Sequence, residues 1–110
     1  MASGERMAAD YLEQQGFRSL ERNYRYERGE IDLVAEEGDE LVFVEVKTRR
    51  TKTFGEPEEA VQEMKQEHIR NTAEGYLLER HLEEKIFRFD VVAVLLMGEK
   101  PEINHIRDAF

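Results

Sequence analysis

GEIDLVAEEGDELVFVEVKT, residues 29–48, sets charged side chains into two runs that otherwise read as buried strands. Leu41 to Val46 is apolar at both parities, the pattern of a strand covered on both faces, yet Glu45 and Lys47 stand at its end. Ile31 to Ala35 reads the same way, with Asp32 inside it. Between the runs, Gly38-Asp39 suits a tight hairpin turn, so the two strands pair antiparallel. Counting back from that turn, Asp32 faces Glu45 and Glu30 faces Lys47. Opposed residues share a sheet face, with Cβ atoms about 4.5–5.5 Å apart, and residues two apart on a strand share it too. Glu30, Asp32, Glu45 and Lys47 therefore form one patch.

Three carboxylates and one amine so close need a counter-charge, because like charges opposed on a sheet destabilise it and buried carboxylates resist ionisation. A divalent cation supplies one. Hard oxygen ligands with room for water and phosphate suit Mg²⁺ or Mn²⁺. An exposed strand end, with Lys47 neutralising Glu30 or Glu45, accounts for any single residue but less well for four in register.

The 110 residues fit one domain, residues 1–110, with a single modest core. A 40% hydrophobic content in clustered runs marks a folded chain. With no cysteine, a disulfide framework and a thiolate zinc site are both excluded. No run approaches the ~18 apolar residues of a membrane span, and MASGERM lacks a secretory apolar segment, so a cytoplasmic protein without a membrane partner is expected. The net charge of −9 argues against a nucleic-acid partner at first sight. However, residues 56–84 hold nine acids against three bases, so much of the excess lies on one segment. Lys47, Arg49, Arg50 and Lys52 follow the patch with no acid among them, a positive rim suited to a polyanionic substrate.

In chain order, Gly4 to Gln15 reads as a helix with Ser3 as N-cap, Met7, Ala8, Tyr11 and Leu12 on one face, and Gly16 as its end. Glu5 lies in its first turn, where the helix dipole favours an acid. Phe17 to Tyr26 is a strand antiparallel to the Ile31 run, with Asn23 as a turn or bulge residue. Along it Arg18, Arg22, Arg25 and Arg28 interleave with Tyr24 and Tyr26, a composition that can clamp phosphates and stack on bases. Arg49 to Glu56 is a loop leading to Pro57, and Glu58 to His81 is helical, with Ala60, Val61 and Met64 assigned to the core. Phe87 to Met97 is a buried strand parallel to the Leu41 strand, and Ile103 to Ile106 is an edge strand. Asp90 is either a further polar group at the active edge or a core acid paired with Arg88 or Arg107. His68 and His81 have no partner at ligand spacing.

An acid on one strand followed by Glu-x-Lys on the next, here Asp32 and Glu45-Val46-Lys47, resembles the PD-(D/E)xK nuclease superfamily. Across the chain, GEIDLVA, LVFVEVKTR, RFDVVAV and HIRDAF resemble the YraN family of small bacterial proteins. GEID departs from the superfamily's usual spelling, in which Pro commonly precedes the acid. The resemblance implies an α/β, restriction-endonuclease-like mixed sheet flanked by helices in the order αβββαββ. It further implies a Mg²⁺- or Mn²⁺-dependent nuclease, an endonuclease or phosphodiesterase acting on DNA ahead of RNA, branched or single-stranded forms included. Asp32, Glu45 and the Val46 carbonyl would hold the metal. Lys47 would orient the attacking water, Glu30 and the helix-borne Glu5 would tune the site, and Lys65 matches a family position facing it. Arg25, Arg49, Arg50, Lys52 and Lys65 would contact substrate. A homodimer is the simplest way for one small domain to cut two strands. The alternative is a non-catalytic nucleic-acid-binding or protein-interaction module on the same fold, the acidic 56–84 helix meeting a basic partner.

Overall fold

A computed structural model describes residues 3–50, 63–96 and 98–110. The element order is α1 (Gly4–Gln14), β1 (Arg18–Tyr26), β2 (Gly29–Glu37), β3 (Glu40–Arg49), α2 (Glu63–Glu79), β4 (Phe87–Leu95) and β5 (Glu102–Ile106). This is the αβββαββ order expected. The strands form one mixed sheet in the order β1-β2-β3-β4-β5, antiparallel throughout except for the parallel β3/β4 pair. The parallel pair follows from the α2 crossover, which returns the chain to the same end of the sheet.

Local chemistry sets the boundaries. The Ser3 hydroxyl accepts from the Arg6 N–H at 3.1 Å, closing the open end of α1, and Gly16 at φ 97° releases the chain from it. Gly38 at φ 60° begins the two-residue turn between Glu37 and Glu40, the position at which a type II′ hairpin takes glycine. Asn23 does adopt a left-handed conformation at φ 52°, while the register shift in β1 falls between Ser19 and Glu21.

The helices cover opposite faces of the sheet. Ala8 and Leu12 of α1 pack on Val42, Val44, Val92 and Val94. Ile69, Ala73, Tyr76 and Leu77 of α2 pack on Leu41, Phe43, Phe89 and Val91. β3 is thus apolar at both parities because each parity meets a different helix. Met64 is not core: its side chain is 71% exposed. At 3.6 residues per turn it lies roughly 140° around the helix from Ile69, off the buried stripe. Ala60, Val61, Pro57 and the expected start of the helix lie outside the described residues, as does Lys52. Among the described residues, no helix is long and apolar enough to cross a membrane.

Candidate functional site

The hairpin register holds from Glu37↔Glu40 to Leu33↔Val44. There the β2/β3 ladder stops, one step short of the Asp32–Glu45 pairing anticipated from the turn. The alternation of β2 breaks at the same point: Leu33 and Ala35 join the α1-side core, whereas Ile31 joins the α2-side core with Val34. Asp32 accounts for the break, because its Oδ2 accepts the Val46 N–H at 2.8 Å. A side-chain carboxylate has taken a place on β3 that a backbone carbonyl fills in a continuing ladder. The acids therefore meet across a notch in the sheet rather than as a regular opposed pair.

Glu45 is nearly buried, at 6% exposure, and faces two lysines: Lys65 Nζ is 2.8 Å from its Oε1 and Lys47 Nζ 3.8 Å. Burial, then the neighbouring Glu45 charge, pushes the Asp32 carboxyl up to about 7, with Glu5 adding to the rise and the Val46 N–H and Lys65 opposing it. Burial and the Lys65 charge push the Lys47 ammonium below its ordinary value. Burial works most strongly against the charge on Lys65, but the hydrogen bond to Glu45 and the charges of Glu45 and Asp32 together outweigh it and raise its pKa. Buried Glu45 thus takes both lysines, and half-buried Asp32 is not fully compensated.

The other assigned residues fall around this centre. Glu30 lines the same cleft as Asp32 and Glu45, while its Oε2 accepts from Arg25 at 3.2 Å. Arg25 is thereby tied to an acid of the site. With the Asn23 amide oriented to satisfy both neighbours, its nitrogen donates to Glu5 Oε1 at 2.7 Å and Glu30 Oε1 at 3.2 Å. Asn23 thus draws the helix-borne Glu5 to the sheet. The Asn23 backbone is left-handed at φ 52°, as a turn or bulge residue can be, and its amide carries a second role that local sequence does not show. Arg49 donates to the Thr48 carbonyl at 3.2 Å and is close enough for its charge to act on Lys47. Arg50 is exposed just beyond β3.

A cleft of about 560 Å³ opens over the acids, between the start of β2 and α2, with Arg28, Lys65 and His68 on its walls. Among the described residues, no group of three His, Cys, Asp or Glu side chains is placed to hold a metal ion. The donor set is two carboxylates, one with an oxygen that takes no protein hydrogen bond among the described residues. That set fits Mg²⁺, which characteristically takes one or two carboxylates and completes its shell with water and phosphate.

Asp90 belongs elsewhere. It is fully buried on the α1 face, where it accepts from Arg88 Nε at 2.9 Å, from the Asp108 N–H at 2.9 Å and contacts His105 Nε2 at 2.7 Å. Arg88 continues to Glu40 at 2.7 Å and Glu37 at 2.9 Å, and Arg107 reaches Glu37 rather than Asp90. Of the alternatives for Asp90, the core pairing with Arg88 holds, and His105 is the partner sequence reading missed.

The profile of the family described as "Uncharacterised protein family UPF0102" matches residues 4–94. A UPF0102 protein of Rhodococcus opacus (strain B4) is 50% identical over 110 residues, covering 99% of this chain and 93% of that protein. One from Syntrophus aciditrophicus (strain SB) is 50% identical over 107 residues, covering 97% and 84% respectively. One from Alkaliphilus oremlandii (strain OhILAs) is 47% identical over 111 residues, covering 99% and 95%. With matches that run nearly end to end and take in both strands of the acidic notch, the chain belongs to the UPF0102, or YraN, family.

Proposed function

We propose that this chain is a Mg²⁺- or Mn²⁺-dependent nuclease of the PD-(D/E)xK type, hydrolysing phosphodiester bonds in DNA. The observation that carries the reading is the convergence of Asp32, Glu45 and Lys65 on one open cleft, with Lys47 beside Glu45 at 3.8 Å. Both lysines pair with Glu45 and, among the described residues, no ion pair forms with Asp32, which is left under-compensated, as in a site built to receive another positive charge. Asp32 and Glu45, with the Val46 carbonyl, are the metal ligands in this reading. The bound cation would supply Lewis-acid stabilisation of the phosphoryl oxygens and a lowered water pKa. Asp32 is oriented by the Val46 N–H. Lys47, as an ammonium, would orient the attacking water and offset the negative charge that develops, the proton the water loses passing to solvent. Lys65, exchanging Glu45 for substrate, neutralises a phosphate oxygen as charge develops. Glu30 and Glu5, joined through Asn23, hold the site's flank in place.

Calorimetric titration with Mn²⁺ and Mg²⁺, beside Asp32→Ala and Glu45→Ala, tests the metal. Saturable binding lost in both variants is the expected result. No binding to either ion, even with a non-cleavable oligonucleotide present, would turn the reading to a non-catalytic binding module. Light scattering with DNA tests the homodimer, which a monomer at all concentrations excludes.

A further inference from the structure

The cleft over the acids does not end at Arg28. A second cleft, about 650 Å³, continues from it along α2 and shares Arg28, Gly29 and His68 as common wall. Tyr26, Asn71 and Thr72 line its far part. Nothing in the nuclease reading uses it. Three acids line the first cleft, but Glu27 alone lines the second. Although α2 carries Glu63, Glu67, Glu74 and Glu79, the residues it presents to the two clefts include none of them.

The four arginines of the β1 region also sort themselves. Arg18 is held by Glu36 at 2.6 Å and Arg25 by Glu30 at 3.2 Å, whereas Arg22 and Arg28 have no ion-pair partner among the described residues; of these two, Arg28 stands where the two clefts join and Arg22 lines neither. Tyr24, buried in the α2-side core with its hydroxyl bonded to Glu79, is withdrawn from any surface role. Tyr26, half-buried, remains on the cleft wall.

We propose that the second cleft binds an unpaired stretch of the same polynucleotide, the nucleotides flanking the scissile bond, so that the groove as a whole takes a single strand. This rests on the nuclease reading for its orientation. A guanidinium free of any acid holds a phosphate. An aromatic ring, an imidazole and the guanidinium plane offer surfaces on which unstacked bases lie, and the Asn71 amide offers a donor and an acceptor to a base edge. The volume is that of a small-ligand site, room for a nucleotide or two. Bases that are already paired and stacked within a duplex cannot enter it. Gly29 lines both clefts where they meet, its α-carbon close against Thr72 and His68 of α2.

The test is fluorescence anisotropy in EDTA, with a labelled oligothymidylate of about twelve nucleotides and a labelled duplex. The proteins are wild type, Arg28→Ala, Arg28→Ala/His68→Ala and Asp32→Ala. Arg28 and His68 are both exposed, and a thermal melt confirms that the variants fold. Wild type should prefer the single strand, and the double variant should lose about tenfold or more of that affinity, the least that losing both a phosphate contact and a stacked base would cost. A double variant that binds like wild type, a duplex bound as tightly as the strand, or a wild type that binds no strand would each overturn the proposal. Cleavage by wild type with unaltered binding in the double variant sinks this proposal and leaves the nuclease reading standing. Strand binding lost on Arg28→Ala/His68→Ala but kept in Asp32→Ala, with no cleavage by any protein, does the reverse.

Discussion

Glu45 and Asp90 lie one register step apart on neighbouring parallel strands, and their surroundings treat charge in opposite ways. On the α1 face, Asp90 is buried completely, but hydrogen bonds from His105, Arg88 and the Asp108 N–H outweigh that burial and hold its carboxyl below the usual range. On the α2 face, Glu45 and Asp32 face each other across a notch, and Asp32 is pushed up to about 7. Burial alone explains neither case. What separates them is whether each oxygen has a donor: the first cluster is closed upon itself, and the second places both its lysines on Glu45, none on Asp32, and opens to a cleft.

Breaking that contrast has its largest effect on turnover. Asp32→Ala and Glu45→Ala should each reduce cleavage by a factor of about a hundred or more, as loss of a group that positions the reacting atoms does. A single cooperative melt in each variant, showing that the fold is kept, is the accompanying expectation, with activity followed on single-stranded and branched substrates. Lys47→Ala belongs with them, and full activity in all three would remove the site.

Next in size is Asp90→Ala, which leaves Arg88 and His105 facing a vacated acid. Urea unfolding should show a loss of roughly 3–5 kcal/mol, the cost of breaking a buried pair. Because the folded pKa of Asp90 is depressed, its stabilisation is present above the unfolded value of about 3.9 and disappears as pH falls through the lower folded value. Asp90→Asn should flatten the acid limb of the stability curve. An unchanged limb would mean that other carboxylates govern it.

Asp32→Asn should do the opposite. The folded carboxyl binds its proton more tightly than the unfolded one, so wild-type stability falls as pH rises between about 4 and about 7 and remains reduced above that. An amide still accepts the Val46 N–H without the repulsion. The variant should therefore melt a few degrees higher than wild type at pH 8.5, with a smaller gain at pH 5.5, by about the relation between free energy and Tm for a domain of this size. Equal melting at both values would show that Asp32 is better compensated than its neighbours indicate. The smallest effect is that of Lys65→Met. Lys65 lowers the Asp32 titration, so its removal should move the Asp32 carboxyl further upward, read from the carboxyl carbon by NMR.

Much of this frame is legible in the chain. Gly38-Asp39 fixes a register that persists from the turn to Leu33 and Val44, because a two-residue loop leaves the strands no freedom to slip. The Ser3 cap, the Gly16 stop and the double-sided β3 follow equally from local chemistry. Pair counting fails at Asp32, since it assumes that backbone bonds to backbone, and here a carboxylate intrudes. Arg25 reads as a free cation until Glu30, five positions on, is brought beside it by the β1/β2 turn. Asn23 and His105 escape notice because their partners come from distant segments, Glu5 and Glu30 for one and Asp90 for the other. Met64 keeps the three- and four-residue spacing of the apolar positions but lies outside the narrower stripe that meets the sheet.

The close approach of α2 to the sheet has a mechanical consequence. A methyl group on Gly29 would collide with the Thr72 hydroxyl, and one on Gly75 with the Tyr26 ring, so the helix rests on two bare α-carbons. Thr72 is a fulcrum, and Lys65 sits seven residues along the arm, about 10 Å at 1.5 Å per residue. Tilting that arm by a few degrees is enough to break the 2.8 Å contact between Lys65 and Glu45. The spacing of the acids from the helix-borne lysine is therefore set at a point that touches neither, and side chains at 29 and 72 can change size only as a pair.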